Sequence, residues 1–208
     1  MFGIHDFGIF LAAGILLNLT PGPDTVYILG RTVAQGRQAG TASAFGICVG
    51  SIFHTCAAAL GLSAILATSA LAFGTVKIVG GAYLIFLGMK MLFDRRKELS
   101  LPPDFRGRTT IAAFRQGVLT NFLNPKVALF FLAFLPQFID PASNMKIAGF
   151  ITLGLTFVIT GTIWCLFLAC FAATFSERLR TNQKFGQWLN RTVGALFVFL
   201  GARLATAK

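Results

Sequence analysis

Six apolar stretches, each set off from the next by a polar loop, run through this 208-residue chain, at approximately 7–29, 41–67, 74–93, 112–138, 147–173 and 192–205. About 20 helical residues cover the roughly 30 Å of hydrocarbon in a bilayer. Inside that layer every backbone N–H and C=O must find its partner within the segment, and for stretches of this length the helix is the structure that provides it. The expected fold is an all-α integral membrane protein of six transmembrane helices. Charge content agrees: 12% of the residues are charged, half the usual ~25% of a soluble domain, too few to cover a water-facing surface. Phenylalanine is present 23 times against two Tyr and two Trp, and its ring has no polar tip to satisfy in lipid. No Lys or Arg precedes the first stretch, so it is expected to be a retained span and not a cleaved signal peptide.

A net charge of +11 could suggest nucleic-acid binding, but the placement of the cations points elsewhere. The loops after the first, third and fifth stretches hold Arg31 and Arg37, then Arg95, Arg96, Lys97, Arg106 and Arg108, then Arg178, Arg180, Lys184 and Arg191. The loops after the second and fourth hold only Lys77, at the edge of the third stretch, and Lys146. An excess of Lys and Arg marks the cytoplasmic side, so the odd loops are expected inside and both termini outside. The bilayer is then a partner and nucleic acid is not. Residues 174–191 mix Phe175, Leu179, Phe185 and Trp188 with cations, and fit either an amphipathic helix on the cytoplasmic interface or an ordinary basic loop. Cys48, Cys56, Cys165 and Cys170 all fall inside apolar stretches without a CxxC or a His cluster. They read as small apolar residues, and no metal or cofactor is expected.

The longest polar linker, residues 94–108, contains Pro102 and Pro103 and divides the chain nearly in half. The two halves resemble each other. Gly81-Ala-Tyr-Leu-Ile-Phe-Leu-Gly88-Met-Lys90 in the third stretch matches Gly194-Ala-Leu-Phe-Val-Phe-Leu-Gly201-Ala-Arg203 in the sixth. Gly14, Asn18 and Pro21 in the first correspond to Gly117, Asn121 and Pro125 in the fourth, with the prolines one residue out of step. Three spans per half make the second half enter the membrane from the opposite side, the inverted 3+3 topology of several secondary transporters, whose sites lie between the repeats at the midplane. The expected organisation is a first three-helix repeat over 1–93, a cytoplasmic linker over 94–111 and a second repeat over 112–208.

Polar chemistry inside the spans is concentrated at two places. Asn18-Leu-Thr20-Pro21-Gly22-Pro23-Asp24 lies within the first stretch. Two prolines remove backbone donors and the glycine between them loosens the chain, so a broken helix is expected, and broken backbone in a membrane is tolerated when it lines a cavity or is buried in protein. The half-helix restarting at Pro23 would turn its positive end to that cavity, suited to a carboxylate. Asp24 in its first turn would receive an ammonium or a coupling proton, or cap the helix. The second break is Asn121-Phe-Leu-Asn124-Pro125-Lys126 in the fourth stretch. Lys126 either pairs with Asp24 or snorkels to the interface. His54 follows Gly46 and Gly50 at steps of four and shares their face; it would relay protons or be a hydrogen-bonded core residue. Gly154 and Gly161 are expected to mark the corresponding face of the fifth span, with Trp164 as a wall of the cavity.

NLTPGPD at 18–24, GGAYLIFLGMKML at 80–92 and QGVLTNFLNPKVALFFLAFLPQF at 116–138 resemble the LysE/RhtB family of bacterial amino-acid exporters, and the likeness covers essentially the whole chain. Asp24, the Pro21–Pro23 break, Asn121, Asn124, Pro125 and Lys126 fall on positions characteristic of that family. The resemblance implies a multi-pass protein of the bacterial inner membrane that is not an enzyme. It implies proton-driven export of a neutral amino acid, homoserine-, threonine- or leucine-like, or a derivative. The substrate-binding set is expected to be Asn18, Thr20, Pro21, Gly22, Pro23, Asp24, Asn121, Asn124, Pro125 and Lys126, with Asp24 and His54 coupling protons; a homo-oligomer is left open. Export of another small solute, thiol electron transfer and a passive channel are the alternatives.

Overall fold

The computed structural model describes residues 2–68, 70–93 and 109–181 and, beyond them, 191, 192, 194, 195, 198, 199, 201 and 202. The basic linker 94–108, the segment 182–190 and half of the expected sixth span lie outside the described residues, as do the side chains of Arg178 and Arg180. Among the described residues the regular structure is helical, apart from an isolated bridge between Ile4 and Ile139.

Neither of the two proline-bearing stretches forms one straight helix. The first is α1 (Phe7–Leu19) and α2 (Pro23–Gln35), bent by 45°. The fourth is α6 (Thr110–Phe122) and α7 (Pro125–Leu129), continued by a π turn at Phe130–Phe134 and a 3-10 turn at Leu135–Phe138, and bent by 44°. Each second half begins with proline at its first position, where the missing N–H has no helical partner to lose. Gly22 and Asn124 precede these prolines in extended conformations, as the residue before proline prefers. The second stretch is α3 (Arg37–Ala57), carried through a π turn at Ala58–Leu62 into α4 (Ser63–Thr68). The third is α5 (Ala70–Phe93) and the fifth α8 (Lys146–Thr181). α8 extends past residue 173 with a local kink at Phe171, φ −113° and ψ 20°, because no glycine or proline intervenes where the sequence turns polar. Residues 37–65 and 146–171 are each long and apolar enough to cross a membrane, and the two bent pairs fit as broken spans.

Glycines set how closely these helices cross. α3 packs most extensively on α6. A methyl group added at Gly46 would collide with the Phe114 carbonyl, and one at Gly117 would lie 2.6 Å from the Ser43 carbonyl oxygen. A second crossing joins the two halves of the chain. A methyl on Gly88 would lie 2.5 Å from the Gly194 carbonyl oxygen and one on Gly194 2.7 Å from that of Gly88, while one on Gly201 would lie 2.6 Å from that of Gly81. The four glycines of the repeated motif therefore meet each other, the first of one with the last of the other.

Buried apolar side chains form two separate clusters. One is a layer of aromatic rings, Phe10, Phe130, Phe131, Phe134, Phe138 and Phe157, packed with residues of α1, the π turns and α8. The other gathers Tyr27, Ile28 and Leu29 of α2, Ala44 and Ile47 of α3, and Cys165, Leu168 and Ala169 of α8. The two helix breaks lie between them.

Candidate functional site

A cavity of about 30 Å³ separates the two clusters. Ile47 and Cys165 reach it from one cluster, Val127 and Phe157 from the other, and its polar lining includes Asn18, Asp24, Thr25, Ser51, Asn121, Lys126 and Thr162. It can hold water but is far smaller than the several hundred Å³ of a pocket closed over a small molecule. A solute enters only when the helices move apart.

The breaks engage each other crosswise. Asp24, in the first turn of α2, accepts a hydrogen bond from Asn121 Nδ2 at 2.8 Å, at the end of α6. Ser51 of α3 donates to Asn121 Oδ1 at 3.1 Å and so fixes that amide. Lys126, in the first turn of α7, sends its ammonium the other way: Nζ donates to the carbonyls of Leu17 at 3.1 Å and Thr20 at 3.0 Å. These carbonyls end α1, where the helix leaves its last acceptors open and its dipole favours a cation. Thus the carboxylate of the first break serves the second and the ammonium of the second serves the first. Asp24 is not the helix cap that the sequence leaves open: the N-cap is Gly22, without a side-chain bond. Lys126 does not snorkel outward; it lines the same cavity as Asp24. Asp24 Oδ1 and Asn124 Nδ2 are both buried and lack a hydrogen-bond partner among the described residues, a state rare enough to point to a ligand or water.

The sequence aligns Pro21 with Pro125, but the structure pairs Pro23 with Pro125, because both open their half-helices. Asp24 and Lys126 then hold equivalent positions of opposite charge. The first break is one residue longer than the second, three residues (Thr20 to Gly22) against two (Leu123 and Asn124), which is what shifted the proline register.

Of the expected binding residues, Asn18, Asp24, Asn121 and Lys126 stand on the cavity wall. Thr20, Pro21, Gly22, Pro23, Asn124 and Pro125 shape the breaks instead. Thr20 Oγ1 turns back to the Leu16 carbonyl at 2.7 Å, and Asn124 Oδ1 caps α7 by accepting from the Lys126 N–H at 3.1 Å. His54 does not line the cavity. Its Nε2 lies 3.1 Å from the Asn121 carbonyl, and since a carbonyl only accepts, that nitrogen carries the proton. The ring lies 6.0 Å from Phe122 and 5.8 Å from Phe131, so its route to Asp24 runs through Asn121. Trp164 lines the cavity, and Gly161 lets Asn18 approach α8, where Asn18 Nδ2 donates to Thr160 Oγ1 at 3.3 Å.

Sequence reasoning missed Ser51 and Thr162, which line the cavity next in sequence to Gly50 and Gly161. The cysteines read as small lipid- or core-facing residues, and Cys56 and Cys170 are exposed and Cys165 is buried in a core cluster; that Cys48 and Cys165 also line the cavity was not foreseen. Replacing all four by Ala is expected to leave transport within about twofold, since each loses one small buried or lipid-facing group; radiolabelled solute efflux from vesicles measures it, and loss of transport would restore thiol chemistry.

Two bent membrane helices that cross at a buried, charged cavity define a solute-translocating membrane protein. The chain belongs to the LysE type translocator family, whose model matches residues 15–208. It is 28% identical over 207 residues to the leucine efflux protein of Klebsiella pneumoniae, covering 100% of this chain and 98% of that one. The leucine efflux protein of Salmonella typhimurium is 29% identical over 212 residues, with the same coverage. An uncharacterized membrane protein of Bacillus subtilis, YrhP, is 29% identical over 211 residues, covering 96% and 98%. No solved structure matches the chain.

Proposed function

We propose that this protein exports a neutral amino acid, leucine-, threonine- or homoserine-like, or a close derivative, from the bacterial cytoplasm across the inner membrane, driven by the proton motive force. The observation that carries the reading is the crossed pair of breaks. Asp24 Oδ1 is positioned to receive a substrate ammonium, and Lys126 with the N-terminal ends of α2 and α7 forms the complementary side for a carboxylate. Relatives named leucine efflux proteins, matched over their full length, favour an aliphatic solute, as does the apolar remainder of the wall, Ile47, Val127, Phe157 and Val158.

The transport cycle follows from six spans in two inverted repeats, 1–93 and 112–208, joined by the linker 94–111, with both termini outside. Near-equal bends of 45° and 44° and the reciprocal glycine contact support that arrangement, and the loop cations support its orientation. Rocking of the repeats would open the cavity to one side at a time. Asp24 is the coupling group, with His54 acting on it through Asn121. Exchange of one inward proton for one neutral zwitterion moves one charge, about 2.3 kcal/mol per 100 mV, which sustains a roughly 50-fold outward gradient. No enzyme chemistry is required of the site.

The test is efflux from cells or vesicles preloaded with a mixture of amino acids. Aliphatic neutral amino acids should leave faster with the protein than without it, against their gradient, and stop when the membrane potential is collapsed. Faster efflux of some other solute only would overturn the substrate class, and efflux indifferent to the potential would overturn the coupling.

A further inference from the structure

Arg31, fully buried at 0% exposure near the end of α2, is not used by the proposed site. A guanidinium within a membrane helix costs about 2.5–3.5 kcal/mol or more unless it is held, and here it is held. Nε donates to the Tyr27 hydroxyl at 3.1 Å, Nη1 to Gln35 Oε1 at 2.5 Å and Nη2 to Gln116 Oε1 at 2.6 Å, and the guanidinium carbon lies 5.5 Å from the Tyr27 ring centre. The Tyr27 hydroxyl passes its own proton to the Ala113 carbonyl at 2.7 Å. Two side chains of α2 thereby grip α6 at two points about one turn apart. The cavity begins at Asp24 and Thr25, one turn before Tyr27. This polar grip lies on one side of the cavity, with the cluster of Tyr27, Ile28 and Leu29, and the aromatic layer, which reaches the cavity through Phe157, lies on the other.

We propose that the Arg31–Tyr27–Gln116 network is the cytoplasmic latch of the transporter, a positioning device that ties α2 of one half to α6 of the other and releases when the cavity opens inward. Its cytoplasmic assignment rests on the orientation proposed above, in which the loop after α2 faces the cytoplasm; the latch itself rests on the contacts. Directional hydrogen bonds suit this task, because they break over a small displacement, whereas stacked rings slide while still in contact.

The native thiols provide the readout. With Cys56→Ala and Cys170→Ala, Cys48 and Cys165 on the cavity wall report access to a membrane-impermeant charged thiol reagent, applied to inside-out and right-side-out vesicles. Gln116→Leu removes the acceptor and is expected to raise labelling from the cytoplasmic face about fivefold, the equivalent of one lost hydrogen bond. Gln116→Glu replaces it with a carboxylate that grips the guanidinium in a charge-assisted pair and is expected to lower that labelling about tenfold and to slow transport. Opposite signs are the signature, since a merely structural role would shift both variants the same way. Two changes of the same sign, or none, would overturn the latch. A change confined to the outer face would overturn its cytoplasmic assignment. If instead the variants behave as expected while no amino acid is exported, the latch stands and the amino-acid reading falls.

Discussion

Asp24→Asn is expected to reduce efflux at least about a hundredfold while the protein stays folded and membrane-inserted. Asparagine keeps the shape of the side chain and an oxygen that still accepts from Asn121 Nδ2, now 2.8 Å from the carboxylate. What it loses is the carboxylate's capacity to carry negative charge on the cavity wall it shares with Lys126, available to a substrate ammonium. A charge-assisted hydrogen bond contributes up to about 3 kcal/mol, and that difference is about two orders of magnitude in an equilibrium or a rate. Matched expression, a single sharp peak in detergent and initial rates of efflux from loaded vesicles make the comparison. Transport within fivefold of wild type would remove Asp24 from the mechanism. Lys126→Met should be worse for the fold than Asp24→Asn, because it strips the ammonium from the Thr20 carbonyl, while the Leu17 carbonyl keeps the Thr20 N–H, and an unsatisfied buried acceptor costs about 1–3 kcal/mol.

Gly46→Val should cause a large loss of stability. The α3–α6 crossing brings backbone against backbone, and even a methyl at Gly46 runs into the Phe114 carbonyl. No rotamer relieves a clash with main chain, so the helices must separate, at about 1–3 kcal/mol for overpacking. For a domain of this size each kcal/mol shifts Tm by roughly 2–4 °C, and the expected fall in detergent is about 5–10 °C. Gly61→Ala is the control, since a methyl there meets nothing within 4 Å; its Tm should hold or rise slightly. Equal melting of the two variants would mean that the crossing does not depend on close approach at Gly46.

Several of these features were open to reading from the chain alone, for reasons that can be named. Proline has no N–H wherever it stands, so Pro21, Pro23 and Pro125 announce broken helices without any tertiary information. Glycines at steps of four, Gly46 and Gly50, identify a close-packing face because in lipid little else favours them. The direction of the polar side chains was harder. Nothing in the local sequence says that Lys126 reaches back to the end of α1 or that Asp24 crosses to Asn121; both depend on how the two breaks are brought together. Arg31 illustrates the same point. By position it reads as one more loop cation, yet α2 runs about one turn beyond it and a neighbouring helix helps enclose it. The aromatic layer was invisible for the opposite reason: with 23 phenylalanines in the chain, those in the core cannot be told from those facing lipid.

The glycine contact between the repeated motifs bears on ancestry. Gly88 meets Gly194, and Gly201 meets Gly81, although in the motif Gly81 corresponds to Gly194 and Gly88 to Gly201. First meets last on both sides, which is how identical surfaces touch across a two-fold axis. If the halves descend from one duplicated gene and are inverted as proposed, the same surface would have joined two oppositely oriented copies of the half-length ancestor. One glycine position in that ancestor would then account for two of the contacts seen in the present chain.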